Sequence, residues 1–259
     1  MLAGVAITFD FHNTLATCDR WFDLEVHDLV PAFLRWRSKS GGPLLDADLD
    51  TRARVTYRSL RQEVIQHGHE MSAEQGLARV LGELEVTVDE EEIAGGVETL
   101  MRACLDEVRP APGAIETIRG LAEAGVPLGV VSSAVYHPFV GWALKRIGLD
   151  SAFGSITTSA SAGFYKSRPE IYAVALSALG AAADRSVHVG DSFRFDVQGA
   201  RRAGMRTAWV QAQQPTPPGE PADLTLPSLH GATESLLSLL NAGSEIIHLA
   251  RHPSPTGAG

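Results

Sequence analysis

Five side chains with the chemistry of a phosphate or metal site occur at separate points of this 259-residue chain. They are three carboxylates, a hydroxyl and an ammonium: Asp10, Ser132, Lys166, Asp191 and Asp196. Clustered carboxylates repel one another unless a cation lies among them, and oxygen ligands that leave room for water and phosphate suit Mg²⁺. One carboxylate could then attack phosphorus while the lysine, the hydroxyl and the metal hold the phosphoryl oxygens. If the fold brings them together, these residues predict a Mg²⁺-dependent phosphoryl-transfer site.

The elements around these residues predict that they do meet. Short apolar runs without alternation predict buried parallel strands, and helical patterns lie between them. The alternation indicates an α/β fold with a doubly wound parallel sheet, Rossmann-like in outline. Asp10, Ser132 and Asp191 each end a strand, and Lys166 precedes a helix, so we expect all of them at one edge of the sheet. The predicted strands are 4–9, 127–132, 186–190 and 207–210, and the helices are 112–125, 137–149, 168–180 and 195–204.

Residues 16–109 do not follow this alternation of strands and helices, and no run among them predicts a strand. Their patterns predict an all-helical insert directly after the first strand, with helices at about 20–37, 46–67, 72–83 and 89–107. A lid over the substrate is one interpretation, because ligands bind at the carboxyl ends of strands in such sheets; a plain structural insertion is the other. The predicted organisation is a discontinuous core (1–15 and 110–242), the insert (16–109), and a tail (243–259) with the composition of disorder.

Composition narrows the class of protein. The chain has 44% hydrophobic and 20% charged residues, and its net charge is −9. It contains no dense cluster of Lys and Arg, so we do not expect it to bind nucleic acid or an anionic membrane. No apolar run reaches the roughly 18 residues of a membrane span, and the N-terminal segment lacks the pattern of a signal peptide. Cys18 and Cys104 have no zinc-site spacing, so we expect free thiols in a reducing cytoplasm. The partner expected is a small molecule, and the protein itself a monomer or homodimer.

Four segments resemble a known family, over about residues 4–240. "DFHNTL" (10–15), "VVSSA" (130–134), "YKSRPEIY" (165–172) and "VGDSFRFDVQGA" (189–200) resemble the motifs of haloacid dehalogenase-like (HAD) hydrolases that carry a helical cap after the first motif. The resemblance implies Asp10 as nucleophile, Ser132 as a phosphate-binding hydroxyl and Lys166 as the motif lysine. It implies Asp191 and Asp196 as the acidic pair of a Mg²⁺ site, with Asp191 in direct contact with the metal. Ser133 follows Ser132 where the family often has Asn.

His12 departs from the family pattern. Phosphatases of the family usually carry Asp at this position, where it protonates the leaving oxygen and then activates water. Imidazole titrates near neutrality and could replace it, while the backbone carbonyl at this position is the family's further metal ligand. Three functions remain open: a phosphatase with His12 as acid/base, a hydrolase of C–halogen or C–P bonds, and a slow or non-catalytic protein that binds a phosphorylated ligand.

Substrate choice is expected to come from the insert. Arg20 lies where the chain enters it, and Arg54 and Arg58 have helical i, i+4 spacing, so Arg20 and Arg58 are candidate contacts for an anionic substrate. A small phosphorylated metabolite is the substrate class that the resemblance implies.

Overall fold

The structure, a computed structural model, describes residues 4–210 and 221–251, and for 243–251 it describes the backbone only. In chain order, the strands of this part are β1 (Ile7–Phe9), β2 (Ala16–Thr17), β3 (Arg109–Pro110), β4 (Leu128–Ser132), β5 (Ser155–Thr158), β6 (Val187–Gly190), β7 (Arg206–Val210) and β8 (Leu224–Leu226). The α-helices are α1 (Asp19–Asp23), α2 (Leu29–Lys39), α3 (Ala47–His67), α4 (Ala73–Glu83), α5 (Glu90–Arg102), α6 (Ala114–Glu123), α7 (His137–Arg146), α8 (Ser159–Ala162), α9 (Glu170–Leu179), α10 (Gln198–Arg202) and α11 (Thr233–Arg251).

Six of the strands form one parallel sheet in the order β5–β4–β1–β6–β7–β8. The chain first adds strands on one side of β1 and then continues on the other side from β6. This confirms the predicted doubly wound α/β fold. The strand order reverses at β1, which places the switch point, where such sheets bind ligands, at the carboxyl end of the strand that Asp10 follows.

The sheet is covered on both faces, which explains why its strands read as unbroken apolar runs. Neighbouring residues of one strand point to opposite faces, so Val130 and Val131 belong to different hydrophobic clusters. Val130 packs in the cluster that includes Phe139 of α7. Val131 packs in the cluster that includes Ile171 and Tyr172 of α9.

Residues 18–108, called the helical insert below, leave and rejoin the core through two short strands. β2 and β3 pair antiparallel, with Ala16 opposite Pro110 and Thr17 opposite Arg109. The helices begin where the sequence supplies caps. Asp46 accepts a hydrogen bond from the Leu49 amide at 2.7 Å, Ser72 and Gln75 form a capping box, and Asp89 accepts from the Glu92 amide at 2.7 Å.

Three differences from the predicted elements have physical reasons. β5 was not predicted, since its sequence SITT is polar and it lies at the edge of the sheet. β2 and β3 are two residues long, too short for a periodic signal. α11 continues to Arg251 and so includes part of the predicted tail, of which residues 252–259 lie outside the described residues.

Both cysteines are buried free thiols, as predicted. Cys18 donates a hydrogen bond to the carbonyl of Cys104 at 3.2 Å, which joins the beginning of the insert to its end. Among the described residues, no helix combines the length and the apolar character needed to cross a membrane.

Candidate active site

Lys166 lies at the centre of the predicted cluster. Its ammonium donates to Oδ1 of Asp10 and to Oδ1 of Asp196, the latter at 2.6 Å, and all three side chains are buried. Burial alone would lower the pKa of Lys166, but the charges of Asp10 and Asp196 outweigh it and raise the pKa above its usual range. The lysine is therefore a fixed cation between two carboxylates, one directly after β1 and the other in the turn that follows β6.

Asp10 is the carboxylate at the tip of β1, and its amide donates to the Val189 carbonyl of β6 at 2.8 Å. Burial raises the pKa of Asp10 to about 8, with Lys166 opposing this effect and Asp196 and Asp191 adding to it. Removal from water disfavours the charged form. A second cation beside Asp10, in addition to Lys166, would favour the ionised carboxylate at neutral pH, the form that can act as a nucleophile.

Asp196 is anchored from several sides. Ser192 donates its amide to Oδ2 at 2.8 Å, and His188 Nε2 lies 3.2 Å from Oδ1. Burial would raise its pKa, but Lys166 and His188 reverse the effect and lower the pKa to about 2. Asp196 is therefore a permanent anion that holds Lys166 in place.

His188 is a polar side chain inside the otherwise apolar strand β6, and burial lowers its pKa. Its Nδ1 lies 2.8 Å from the Thr8 hydroxyl. Because an ionised carboxylate only accepts hydrogen bonds, Nε2–H donates to Asp196 and Nδ1 accepts from Thr8. Sequence analysis missed this support, although a histidine within "SVHVG" is a visible interruption of the apolar run.

The loop after β6 brings Asp196 back to the sheet edge. Residues Phe193–Val197 form one π-helical turn that begins after Ser192. A Cβ atom on Gly190 would lie 2.2 Å from Cγ of Asp196, so this close approach requires glycine. Asp191, one residue after the strand, has its pKa raised to about 6 by burial and by the charge of Asp196, while Lys166 and Asn13 lower it.

Asp10, Asp191 and Asp196 together could hold a metal ion. Each offers one oxygen, and these oxygens lie within 4.8 Å of one another. Three hard oxygen donors beside a cavity are a suitable ligand set for Mg²⁺. Since Asp196 already binds Lys166, His188 and Ser192, Asp10 and Asp191 have the more available oxygens.

His12 lines the cavity and stacks on Phe22, with ring centroids 4.7 Å apart and planes 3° apart. Its Nε2 is buried and has no hydrogen-bond partner among the described residues; the nearest carboxylate, Asp19, is 3.7 Å away. Burial lowers the pKa of His12, and Asp19 opposes the shift. His12 therefore lines the cavity with one ring nitrogen that has no hydrogen-bond partner among the described residues.

The cavity between the sheet edge and the helical insert has a volume of about 330 Å³. Every predicted motif residue reaches it. The core contributes Asp10, His12, Asn13, Ser132, Ser133, Tyr165, Lys166, Asp191, Ser192, Phe195 and Asp196, and the insert contributes Trp21, Phe22, Glu25, Val26, Arg61 and Ile65.

Arg20 and Arg58, predicted as substrate contacts, are not brought to the cavity. Arg20 donates to the Ala103 carbonyl at 3.1 Å and pairs with Glu107 at the surface, and Arg58 is exposed. Arg54, at the same helical spacing, pairs with Asp28. Arg20 on α1 and Arg54 and Arg58 on α3 are absent from the cavity lining.

Arg61 and Glu25 are the cavity's polar residues from the insert, and the sequence analysis missed both. Arg61 shares the buried face of α3 with Tyr57 and Val64, so a charge on the apolar stripe was the available signal. Glu25 lies in a π-helical turn, Leu24–Asp28, and accepts from the Tyr136 amide at 3.3 Å. Burial raises the pKa of Glu25 to about 8, with Arg61 opposing the shift.

A sequence model described as haloacid dehalogenase-like hydrolase matches residues 5–204. The chain belongs to this hydrolase family. A relative from Methanothermobacter thermautotrophicus, named glyceraldehyde 3-phosphate phosphatase, is 31% identical over 175 residues, which are 66% of this chain and 74% of the relative.

Two solved structures show that the fold is shared by enzymes of different chemistry. One is a HAD phosphatase from Thermococcus onnurineus (TM-score 0.60, 21% identity, 89% of this chain and 97% of that chain). The other is a 2-haloacid dehalogenase from Pseudomonas syringae pv. Tomato DC3000 (TM-score 0.66, 22% identity, 92% of this chain and 99% of that chain). The fold alone therefore does not select the reaction, and the site must.

Proposed function

We propose that the protein is a Mg²⁺-dependent phosphatase that hydrolyses a small phosphorylated metabolite through a phospho-aspartate on Asp10. The observation that carries the proposal is the convergence of Asp10, Asp191, Asp196 and Lys166 at the edge of one cavity. The relative named glyceraldehyde 3-phosphate phosphatase supports phosphate ester hydrolysis, and that substrate is the first to test.

The ligands of Mg²⁺ in this proposal are Asp10 and Asp191, with the backbone carbonyl of His12 and with Asp196 behind them. The residues fit the ion because one oxygen from each of Asp10, Asp191 and Asp196 lies within 4.8 Å of the others. Burial is the main cause of the raised pKa of Asp10 and Asp191, with neighbouring carboxylates adding to it, and a divalent cation among them would offset both effects. When bound, Mg²⁺ neutralises charge on the phosphoryl oxygens.

Each side chain then has one task. A carboxylate oxygen of Asp10 forms a bond to phosphorus as the ester P–O bond breaks, and water later hydrolyses the phospho-aspartate. Lys166 and the hydroxyls of Ser132 and Ser133 donate to the phosphoryl oxygens. His12 gives a proton to the leaving oxygen and takes one from the attacking water, because imidazole changes charge near neutral pH.

The helical insert is the cap of this site in the proposed organisation, with residues 1–15 and 110–242 as the catalytic core. Six of the seventeen residues lining the cavity come from the insert. A cap that encloses the substrate excludes bulk water and strengthens the electrostatic interactions inside.

Dehalogenation and C–P cleavage are not proposed. The intact carboxylate cluster favours a metal-dependent site, whereas the dehalogenase branch of the family works without metal. The C–P branch uses a lysine from its cap, and Lys39 is the insert's sole lysine, at the end of α2 and away from the cavity lining.

The test is hydrolysis of glyceraldehyde 3-phosphate and of p-nitrophenyl phosphate by the purified protein with Mg²⁺, followed by phosphate release. We expect turnover that Asp10→Asn reduces by at least about 1000-fold, since the nucleophile is removed. Asp150→Asn, an exposed site, is the matched control and should keep full activity. Turnover of neither substrate, or equal turnover by Asp10→Asn, would overturn the proposal.

A further inference from the structure

The cap half of the cavity differs sharply from the catalytic half. Four of the six side chains that the insert contributes to the lining are apolar: Trp21, Phe22, Val26 and Ile65. The polar pair is Arg61 and Glu25. The part of a substrate that projects away from Asp10 therefore meets mainly apolar surface.

Arg61 is the cation that the insert adds to the lining, but its charge is already matched. Its two terminal nitrogens donate to the two carboxylate oxygens of Glu70 at 2.7 and 2.9 Å. Both side chains are buried, with 7% and 0% of their surfaces exposed. A buried bidentate pair of this kind leaves almost no net charge for a second anion.

Glu70 is itself fixed by the core. Its Oε2 accepts from the Ser159 hydroxyl at 3.0 Å, and its Oε1 accepts from the Met71 amide at 3.0 Å. The backbone of the same loop joins the core, since the Glu70 amide donates to the Gly163 carbonyl at 3.0 Å. Glu70 therefore cannot swing away to release the charge of Arg61 without breaking several hydrogen bonds.

Glu25 adds no charge of either sign near neutral pH. Its pKa of about 8 leaves the carboxyl group mainly protonated at pH 7. The groups that face this carboxyl group are the Arg61 guanidinium, the backbone amides of Val135 and Tyr136, and Glu70. The Tyr57 hydroxyl donates to the backbone carbonyl of Glu25 at 2.5 Å. The cap half thus combines an apolar wall with hydrogen-bonding groups of zero net charge.

We propose that the site takes monophosphate esters whose alcohol part is uncharged and apolar on one side, and that Glu70 sets this preference by neutralising Arg61. The inference rests on the phosphatase function proposed above. Of the five N–H groups of Arg61, the hydrogen bonds of the described residues use two, so others can bind a hydroxyl or carbonyl oxygen of the leaving alcohol. A second phosphate or a carboxylate would lose its hydration without gaining a counter-charge.

One pair of substrates isolates the charge. Glycerol 3-phosphate and 3-phosphoglycerate carry the same phosphate and differ by a hydroxyl or a carboxylate at the far end. With Mg²⁺ and the wild-type protein, we expect kcat/KM to be at least about tenfold higher for glycerol 3-phosphate. An equal or higher value for 3-phosphoglycerate would overturn this inference and leave the phosphatase function standing, whereas hydrolysis of no phosphate ester would remove both.

Substitution of Glu70 tests its role as the determinant. Glu70→Gln keeps the shape and removes the charge, so the discrimination should fall to near unity because 3-phosphoglycerate improves. Glu63→Gln on α3 removes the same charge from an exposed pair with Arg79 of α4 and should leave the ratio unchanged. A ratio that Glu70→Gln does not move in a folded protein contradicts the assignment to Glu70; if this variant fails to fold, the wild-type ratio decides.

A second pair of substrates tests the apolar wall, which is the part of the lining formed by Trp21, Phe22, Val26 and Ile65. Benzyl alcohol and ethanol are similar in acidity, so benzyl and ethyl phosphate have comparable leaving groups and differ mainly in apolar surface. We therefore expect KM to be about tenfold lower for benzyl phosphate. Ile65→Ala should narrow this difference, and Val55→Ala, 60% exposed on the same helix, should not. Equal KM values for both esters in the wild-type protein would refute the apolar wall.

Discussion

Lys166 and Asp196 form the buried ion pair of the site, with Nζ 2.6 Å from Oδ1, and the same ammonium contacts Asp10. The pair joins the loop before α9 to the loop after β6. In the proposed mechanism this pair holds the lysine beside the nucleophile Asp10 before any substrate binds, so the cation that contacts the phosphoryl group needs no reorganisation during the reaction.

Lys166→Met removes this cation. We expect kcat to fall by at least about 100-fold with Mg²⁺ present, because one stabilising charge on the transition state is lost. Lys145→Met, at an exposed position, should match the wild type in the same assay. A folded Lys166→Met variant with unchanged kcat would show that the lysine acts only in the structure.

Mg²⁺ should stabilise the folded protein by binding among the carboxylates, and this can be measured without substrate. In thermal unfolding, added Mg²⁺ should raise the Tm of the wild type, since a ligand of the folded state alone stabilises it. Asp191→Asn should weaken this effect and Asp184→Asn, exposed before β6, should preserve it. Full activity in excess EDTA would contradict the metal site.

His12→Asp tests the acid/base role. In water an aspartate titrates below an imidazole, so the ascending limb of the kcat profile should move to lower pH. The move should be smaller than the difference in water, because burial lowers the pKa of His12 and raises the pKa of a carboxyl group. His12→Phe should lose most of kcat over the whole range. A wild type with almost no turnover that His12→Asp activates would instead indicate the slow or non-catalytic alternative.

Glu25→Gln should make stability less dependent on pH. Since the pKa of Glu25 is raised from 4.5 to about 8, the folded state keeps a proton that the unfolded state loses over this interval. Folded wild-type protein is therefore progressively penalised as the pH rises from about 4.5 to about 8. The variant should exceed the wild type in urea midpoint by more at pH 8 than at pH 5.

The matched control for this prediction is Glu123→Gln, an exposed carboxylate on α6, whose offset from the wild type should stay constant between the two pH values. An offset for Glu25→Gln that is equally constant would contradict the raised pKa. The Tyr136 amide can still donate to the amide oxygen of glutamine, so the substitution preserves the hydrogen bond.

The fold and the residues at the centre of the site could be predicted from local sequence patterns. Short apolar runs that lack alternation and are rich in Val and Ile favour strands covered on both faces, and parallel strands bring their carboxyl ends to one edge. Asp10, Ser132 and Asp191 were therefore placed together by topology alone. The burial of Lys166 could not be predicted in this way, because the local sequence around a lysine before a helix does not distinguish a buried ion pair from a solvated side chain.

The tertiary structure decided which residues of the insert line the cavity, because this depends on how its helices pack against the core. Arg54, Arg58 and Arg61 are equally charged in sequence, yet only Arg61 lies on the buried face with Tyr57. Its partner Glu70 is nine residues away, beyond the reach of helical spacing, and is held there by the loop that bonds to the core. The sequence by itself determined the chemistry at the edge of the sheet. Packing between the insert and the core determined the charge above it, since burial and pairing of side chains distant in sequence are properties of the assembled chain.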